Sequence, residues 1–222
     1  MTSDQASDPR FSTATVRAAY NAVADDYDRA FGDDLDRLPL DRAMLDAFVD
    51  RIATRGSVLD VGCGPAPAGS YLRARGVAVI GADLSAGMLA VARLREPLLP
   101  LVEADMRHLP LRTSSFAGVI SYYTIQHLPR ADLPTALKGM ASILQPGGLV
   151  LLAAHLGDET RYLDEFLGHR IDPVGGNLYQ RRDLLDVLAY AGCLLDVEEQ
   201  RRPLPHEADT QRIYLLAHRT GA

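Results

Sequence analysis

Val58-Leu59-Asp60-Val61-Gly62-Cys63-Gly64-Pro65, residues 58–65 of a 222-residue chain, reads as a buried strand running into a glycine loop. Glycines at such a junction let the backbone approach a ligand with no Cβ in the way. The dinucleotide fingerprint Gly-x-Gly-x-x-Gly is not completed, because Pro67 holds the third glycine's place and the next glycine is Gly69. Pyrophosphate binding, and with it a nucleotide-dependent oxidoreductase, is therefore disfavoured. Asp60 brings a negative charge to the loop, which suits a cationic ligand better than a phosphate.

Working outward, residues 1–12 are polar and read as loose, and 13–31 follow a helical period through Val16, Tyr20, Val23 and Tyr27. A second helix is expected over 39–54, with Pro39 in its first turn and Gly56 closing it. Downstream of the loop, strands at 57–61, 77–82, 99–103, 115–122 and 149–154 alternate with helices at 68–75, 86–95 and 130–144. Apolar strands alternating with amphipathic helices predict a parallel sheet covered on both faces. Residues 158–167 read as a helix, and 181–191 as another, ended by Gly192. The strands 194–201 and 212–218 are joined by a proline-containing segment rather than a crossover helix, which predicts an antiparallel edge. One domain is expected: a helical cover (1–55), a ligand-binding core (56–155) and a C-terminal unit of helices and edge strands (156–222).

Composition narrows the function. Asp and Glu number 29 against 23 Lys and Arg, a net charge of −6, where nucleic-acid binders carry a basic stripe. Lys138 is the single lysine, so 22 of the 23 basic residues are arginine, the side chain suited to bidentate anion pairing. The longest apolar run, 149–154, falls far short of the ~20 residues a membrane span needs. The N-terminus is polar and acidic, unlike a signal peptide, and Cys63 and Cys193 are isolated. The expectation is a cytoplasmic protein, monomeric or homodimeric, with no metal site and neither nucleic acid nor membrane as partner.

Acids follow three successive strands: Asp60 in the first, Asp83 after the second, Asp105 after the third. A carboxylate about 20 residues beyond the loop can accept hydrogen bonds from ribose hydroxyls. Ligands of open α/β sheets bind outside these strand ends. The runs Leu59-Asp60-Val61-Gly62-Cys63-Gly64, Ala82-Asp83-Leu84-Ser85-Ala86-Gly87-Met88-Leu89, Ala104-Asp105-Met106 and Leu144-Gln145-Pro146-Gly147-Gly148 resemble the successive motifs of class I S-adenosylmethionine-dependent methyltransferases, over roughly residues 15–220. The resemblance implies a Rossmann-like, seven-stranded, mostly parallel sheet of order 3-2-1-4-5-7-6, with strand 7 antiparallel. It implies S-adenosylmethionine as cofactor and S-adenosylhomocysteine as product. Gly62, Cys63 and Gly64 would run beside the methionine part and ribose, with Asp60 near the amino group. Asp83 would bind the ribose hydroxyls, and Leu84 and Met88 would flank the adenine. Asp105 would meet the adenine amine beside Met106, and Ser121 and Tyr122 would floor the methionine part. Phe116-Ala117-Gly118 stands where many relatives have Phe-Asp, a change at the far end of the strand.

The acceptor is expected to be a small molecule attacked through oxygen or nitrogen. His127, just beyond the fourth strand, and His155, ending the fifth, are candidate bases, since an untuned imidazole accepts a proton near neutral pH. For His127 a capping or loop-bracing role is the favoured reading, while for His155 the two readings balance. Tyr20 and Tyr27 are candidates for a helical lid over the cofactor. Arg161, Arg201, Arg202, Glu207, Arg212 and Tyr214 are candidate acceptor contacts. An arginine facing the transferred methyl would indicate an anionic acceptor, and its absence an apolar or aromatic one. A catalytically inactive cofactor-binding partner subunit is the alternative reading.

Overall fold

A computed structural model describes residues 5–52 and 56–221. Two helices come first, α1 (Thr13–Phe31) and α2 (Pro39–Ile52), followed by β1 (Val58–Val61), α3 (Pro67–Arg73), β2 (Val79–Asp83), α4 (Ala86–Arg95), β3 (Leu101–Glu103) and β4 (Phe116–Tyr122). The remainder is α5 (Leu133–Ile143), β5 (Leu144–Leu156), β6 (Thr160–Phe166), β7 (His169–Asn177), α6 (Arg181–Tyr190), β8 (Cys193–Arg201) and β9 (Gln211–Arg219). The second helix's expected end at Thr54 lies outside the described residues. Ser12 caps α1 by accepting from Thr15 N–H, and Ser85 caps α4 by accepting from Met88 N–H.

Seven strands form one sheet in the order β3-β2-β1-β4-β5-β9-β8. This is the expected order, renumbered by a hairpin inserted after β5. β1 to β5 are parallel, and β9 runs antiparallel between β5 and β8. Leu144 pairs with Phe116 and Leu149 with Gly118, so the Gln-Pro-Gly-Gly break survives as a bulge within β5.

Both faces of the sheet are apolar. Leu59, Val119, Val150, Leu152, Ile213 and Leu215 pack under α5 and α6 against Leu137, Met140 and Leu184. The alternate residues Val58, Ile120, Leu151, Tyr214 and Leu216 pack under α2, α3 and α4 against Leu45, Phe48, Leu72 and Leu89. This period-two division is the pleat read through burial on two sides.

Residues 158–167 are not helical. β6 and β7 form an antiparallel two-stranded sheet closed by Leu167 and Gly168, both at positive φ (+52° and +81°), between the paired Phe166 and His169. Two residues at positive φ make the tight turn whose twist suits a hairpin. Leu163, Phe166 and Leu167 recur at helical spacing, but Phe166 and Leu167 are used to cover α1, joining the cluster of Tyr20, Tyr27 and Met88. Residues 5–12, the described part of the N-terminal stretch, are not loose either. Pro9–Phe11 is a 3-10 turn, Phe11 is buried, and Gln5 Nε2 donates to Asn177 Oδ1 at 3.0 Å. Asn21 pins α1 to the start of α4, its Oδ1 accepting from Ser85 Oγ at 2.7 Å and Gly87 N at 2.9 Å.

A Cβ on Gly118 would lie 2.5 Å from Phe48 Cζ and 2.9 Å from Ile52 Cδ1, so β4 admits α2 only because it lacks a side chain there. Gly118→Ala is expected to lower stability by ~1–3 kcal/mol through overpacking, read as a lower urea midpoint at unchanged slope.

Candidate functional site

The loop after β1 sits at positive φ at Gly62 (+68°), Gly64 (+54°) and Ala66 (+65°). A Cβ on Gly62 would fall 2.1 Å from Thr124 Oγ1, which demands glycine. A Cβ on Gly64 would meet nothing within 4 Å, so its backbone faces open space. Asp83, at the end of β2, holds this loop: its Oδ2 accepts from Gly64 N–H at 2.8 Å and its Oδ1 from Ser85 N–H at 2.8 Å. Burial raises the Asp83 pKa against those bonds. A carboxylate has about four lone-pair sites, so each Asp83 oxygen can accept again.

A cavity covers these strand ends. Gly62, Gly64, Asp83, Leu84, Met88, Asp105, Met106 and Tyr122 line its sheet side; Phe11, Thr13, Val16, Arg17, Tyr20, Tyr27 and His127 close it. Among the described residues no group of acids, histidines and cysteines could hold a metal ion. No helix there is long and apolar enough to cross a membrane.

Three expected cofactor residues do not reach the wall. Asp60 is buried under the loop and accepts from Gly69 N–H at 3.0 Å. Burial, aided by the charge of Asp83, pushes its pKa up to about 7 against that bond. Cys63 is a buried free thiol, and the Ser121 hydroxyl is buried without a hydrogen-bond partner. Asp105 reaches the wall already occupied. Its oxygens accept from Arg107 Nε at 3.0 Å and Nη2 at 2.6 Å, and from Thr13 Oγ1 at 3.0 Å. Burial alone would raise its pKa, but Arg107 more than reverses that.

The two histidines separate. His127 is on the cavity wall, with Nδ1 3.0 Å from the Gly175 carbonyl oxygen of β7 and Nε2 2.6 Å from Tyr20 Oη. Burial lowers its pKa, so it stays neutral. His155 is off the wall, its ring centroid 5.0 Å from that of Tyr123 and its Nδ1 2.7 Å from Thr210 Oγ1. Burial and then the charge of Arg212 bring its pKa down to about 4.

The C-terminal polar residues turn inward. Asp41, fully buried in the first turn of α2, accepts from Tyr123 Oη at 2.9 Å, Tyr214 Oη at 2.7 Å and Arg201 Nη2 at 3.1 Å. Glu207 accepts from Arg201 Nη2 at 2.7 Å and Leu204 N–H at 2.7 Å, and Arg212 Nη2 lies 3.6 Å away. Burial works against the Glu207 charge, yet these partners hold its pKa at about 2. Two carboxylates and two guanidiniums thus neutralise one another, leaving Arg201, Glu207, Arg212 and Tyr214 away from the cavity. Arg161 and Arg202 border a separate open depression between the ends of β5 and β9. The network reaches the cavity through Tyr123, which lines it at a left-handed φ of +53°. A bulky residue there is strained and must be held by its surroundings.

Phe11, Thr13, Arg17, Arg107, Tyr123 and Thr124 line the cavity without having been singled out in the sequence. Arg107, two residues beyond Asp105, and Tyr123-Thr124, directly after β4, occupy the positions where a signal was available. Phe11 and Thr13 reach the wall only through the fold of the N-terminal turn.

A methyltransferase-domain family matches residues 58–148. A malonyl-[acyl-carrier protein] O-methyltransferase from Enterobacter lignolyticus is 31% identical over 180 residues, covering 80% of this chain and 68% of that protein. A demethylmenaquinone methyltransferase from Streptomyces avermitilis is 29% identical over 139 residues, covering 62% of this chain and 58% of that protein. The crystal structure of Burkholderia thailandensis 1,6-didemethyltoxoflavin-N1-methyltransferase, with bound 1,6-didemethyltoxoflavin and S-adenosylhomocysteine, superposes with a TM-score of 0.71. It is 17% identical, and the match covers 94% of this chain and 88% of that one.

Two outcomes test the buried charges. Asp60 holds its proton to about pH 7 in the folded protein and to about 3.9 unfolded, so ionisation erodes stability as pH rises between the two. Asp60→Asn is therefore expected to match wild type near pH 4, and to gain on it by up to ~1.4 kcal/mol per pH unit towards pH 7, measured by urea unfolding at each pH. Glu207→Gln leaves buried Arg212 without a carboxylate partner among the described residues and Arg201 with Asp41 alone, and is expected to cost ~3–5 kcal/mol in the same assay, while leaving affinity for S-adenosylhomocysteine unchanged in folded protein.

Proposed function

The chain belongs to the class I S-adenosylmethionine-dependent methyltransferases, and we propose that it methylates an oxygen or nitrogen of a small, uncharged, flat acceptor. The observation that carries this reading is the composition of the cavity wall. Phe11, Tyr20, Tyr27, Tyr122, Tyr123 and His127 supply aromatic surface, and both cations on the wall are engaged. Arg107 is paired with Asp105 and, at 3.4 Å, with Asp132; Arg17 Nε donates to the Leu84 carbonyl at 3.1 Å and faces Glu103 at 3.6 Å. An anionic acceptor would enter such a site with no free cation of the protein to receive it, at a desolvation cost that side-chain pairing does not offset.

The residues present fit S-adenosylmethionine. The open face of Gly64 admits a ligand against the backbone, and Asp83 keeps lone pairs for the ribose hydroxyls. Leu84, Met88 and Met106 would flank the adenine. The acid-lined side and the aromatic walls suit a cation. When bound, the cofactor supplies an electrophilic methyl on a sulfonium that departs as a neutral thioether. The chain must align the acceptor with that methyl and keep water out. α1 and the β6–β7 hairpin provide the cover: Val16, Ala19 and Val174 form one apolar cluster, and Val23, Met88 and Phe166 belong to another. His127 is the imidazole on the cavity wall, with Tyr20 on its Nε2.

Two measurements test this reading. Asp83→Ala should weaken S-adenosylhomocysteine binding by ~1–3 kcal/mol in calorimetry, and unchanged affinity in folded protein contradicts the ribose assignment. Labelled methyl from S-adenosylmethionine should pass to simple phenols and aromatic amines at least about tenfold faster than to the same rings carrying a carboxylate. The reverse preference would contradict the uncharged acceptor.

A further inference from the structure

His127 does not present its basic nitrogen to the cavity. Its Nδ1 lies 3.0 Å from the Gly175 carbonyl oxygen, which can only accept, so Nδ1 carries the ring proton. In a neutral imidazole the other nitrogen is then bare. That lone pair is taken by the Tyr20 hydroxyl, 2.6 Å from Nε2, so Tyr20 donates and His127 accepts. No other hydrogen bond reaches Tyr20 Oη among the described residues, and Tyr20 lines the cavity, so its oxygen lone pairs are what an incoming O–H or N–H meets.

Resting on the methyl-transfer reading above, we propose that Tyr20 is the group that takes the acceptor's proton, in a two-step relay ending on His127 Nε2. The acceptor's proton passes to Tyr20 Oη as the Tyr20 proton passes to His127 Nε2. The acceptor keeps the electron pair that bonds to the methyl carbon. The positive charge lost from the sulfonium reappears on the imidazolium, so charge balances, and Tyr20 ends neutral as it began. A tyrosine acting alone as base would have to become a buried phenolate beside Asp83, and burial and that charge both hold its pKa well above 10. Coupling to His127 removes that need.

The hairpin completes the relay. Gly175 belongs to β7, and a Cβ there would fall 2.3 Å from the Phe11 ring, so the strand lies against the N-terminal turn with its carbonyl on His127. The inserted β6–β7 unit therefore selects the histidine tautomer as well as covering the site. Without that carbonyl either nitrogen can hold the proton, and the Nε2–H form cannot receive one from Tyr20.

Tyr20→Phe is the test variant, because the ring contacts to Tyr27 and Phe166 are edge-on contacts that do not use the hydroxyl. Nitrogen-15 NMR of histidine-labelled wild-type protein should show His127 protonated on Nδ1, with Nε2 bare and hydrogen-bonded. In Tyr20→Phe the tautomer should persist and the Nε2 hydrogen bond should vanish. Affinity for S-adenosylhomocysteine should stay within about twofold, and the rate of methyl transfer at saturating cofactor should fall ~10²-fold or more. A proton on Nε2 in the wild type overturns the relay, whatever the acceptor. So does weakened cofactor binding with an unchanged saturated rate, which would make Tyr20 only a wall. Failure of the wild-type protein to bind S-adenosylhomocysteine would instead overturn the methyl-transfer reading, and the relay with it.

Discussion

The hydrogen bond from Gly64 N–H to Asp83 Oδ2, 2.8 Å long, ties the loop after β1 to the end of β2. The loop needs such a tie because three of its residues sit at positive φ and cannot be held by a regular ladder. Asp83 is itself fixed by Ser85 N–H, and Ser85 caps α4 while holding Asn21 of α1. One carboxylate thus links the glycine loop, the start of α4 and the helix that roofs the cavity. The sheet positions the strand ends, and this bond turns two of them into one wall.

A second constraint works from the other side. The buried set of Asp41, Tyr214, Arg201 and Glu207 joins α2, β8 and β9 and holds Tyr123 by its hydroxyl. Buried ion pairs of this kind add little net stability, since desolvation offsets their attraction. Their effect is geometric: they keep a strained tyrosine in the cavity wall and withdraw the arginines from it. The charges of this network are thereby kept off the cavity, whose wall combines Asp83 and the paired Asp105 and Arg107 with aromatic surface and one histidine.

The core was legible because its signals are local and redundant. The strand-to-glycine junction at Val61-Gly62, the acid at Asp83 and the paired apolar runs of β4 and β5 each point to the same parallel sheet. The antiparallel edge followed from the missing crossover helix before β9. The hairpin was not legible, since Leu163, Phe166 and Leu167 mimic a helical stripe and the turn is set by Leu167-Gly168, a pair with a weak hairpin signal. The destinations of the arginines were hidden for a different reason. Whether Arg201 faces a ligand or a carboxylate depends on Asp41, 160 residues away in sequence. Asp105 shows the same limit: its position at a strand end was readable, but its saturation by Arg107 and Thr13 was not. The Tyr20–His127 contact spans 107 residues and arises only because the lid and the loop after β4 meet.

The central claim is that Asp83 anchors a nucleoside cofactor whose reacting end faces an aromatic, uncharged wall bearing Tyr20. A crystal structure with bound S-adenosylhomocysteine tests it most directly. The account predicts both ribose hydroxyls on the Asp83 carboxylate, the sulfur directed towards the Tyr20 hydroxyl, and Arg201 and Arg212 still bound to Glu207. Ribose bound elsewhere, or an arginine released from that network to stand opposite the sulfur, would contradict it.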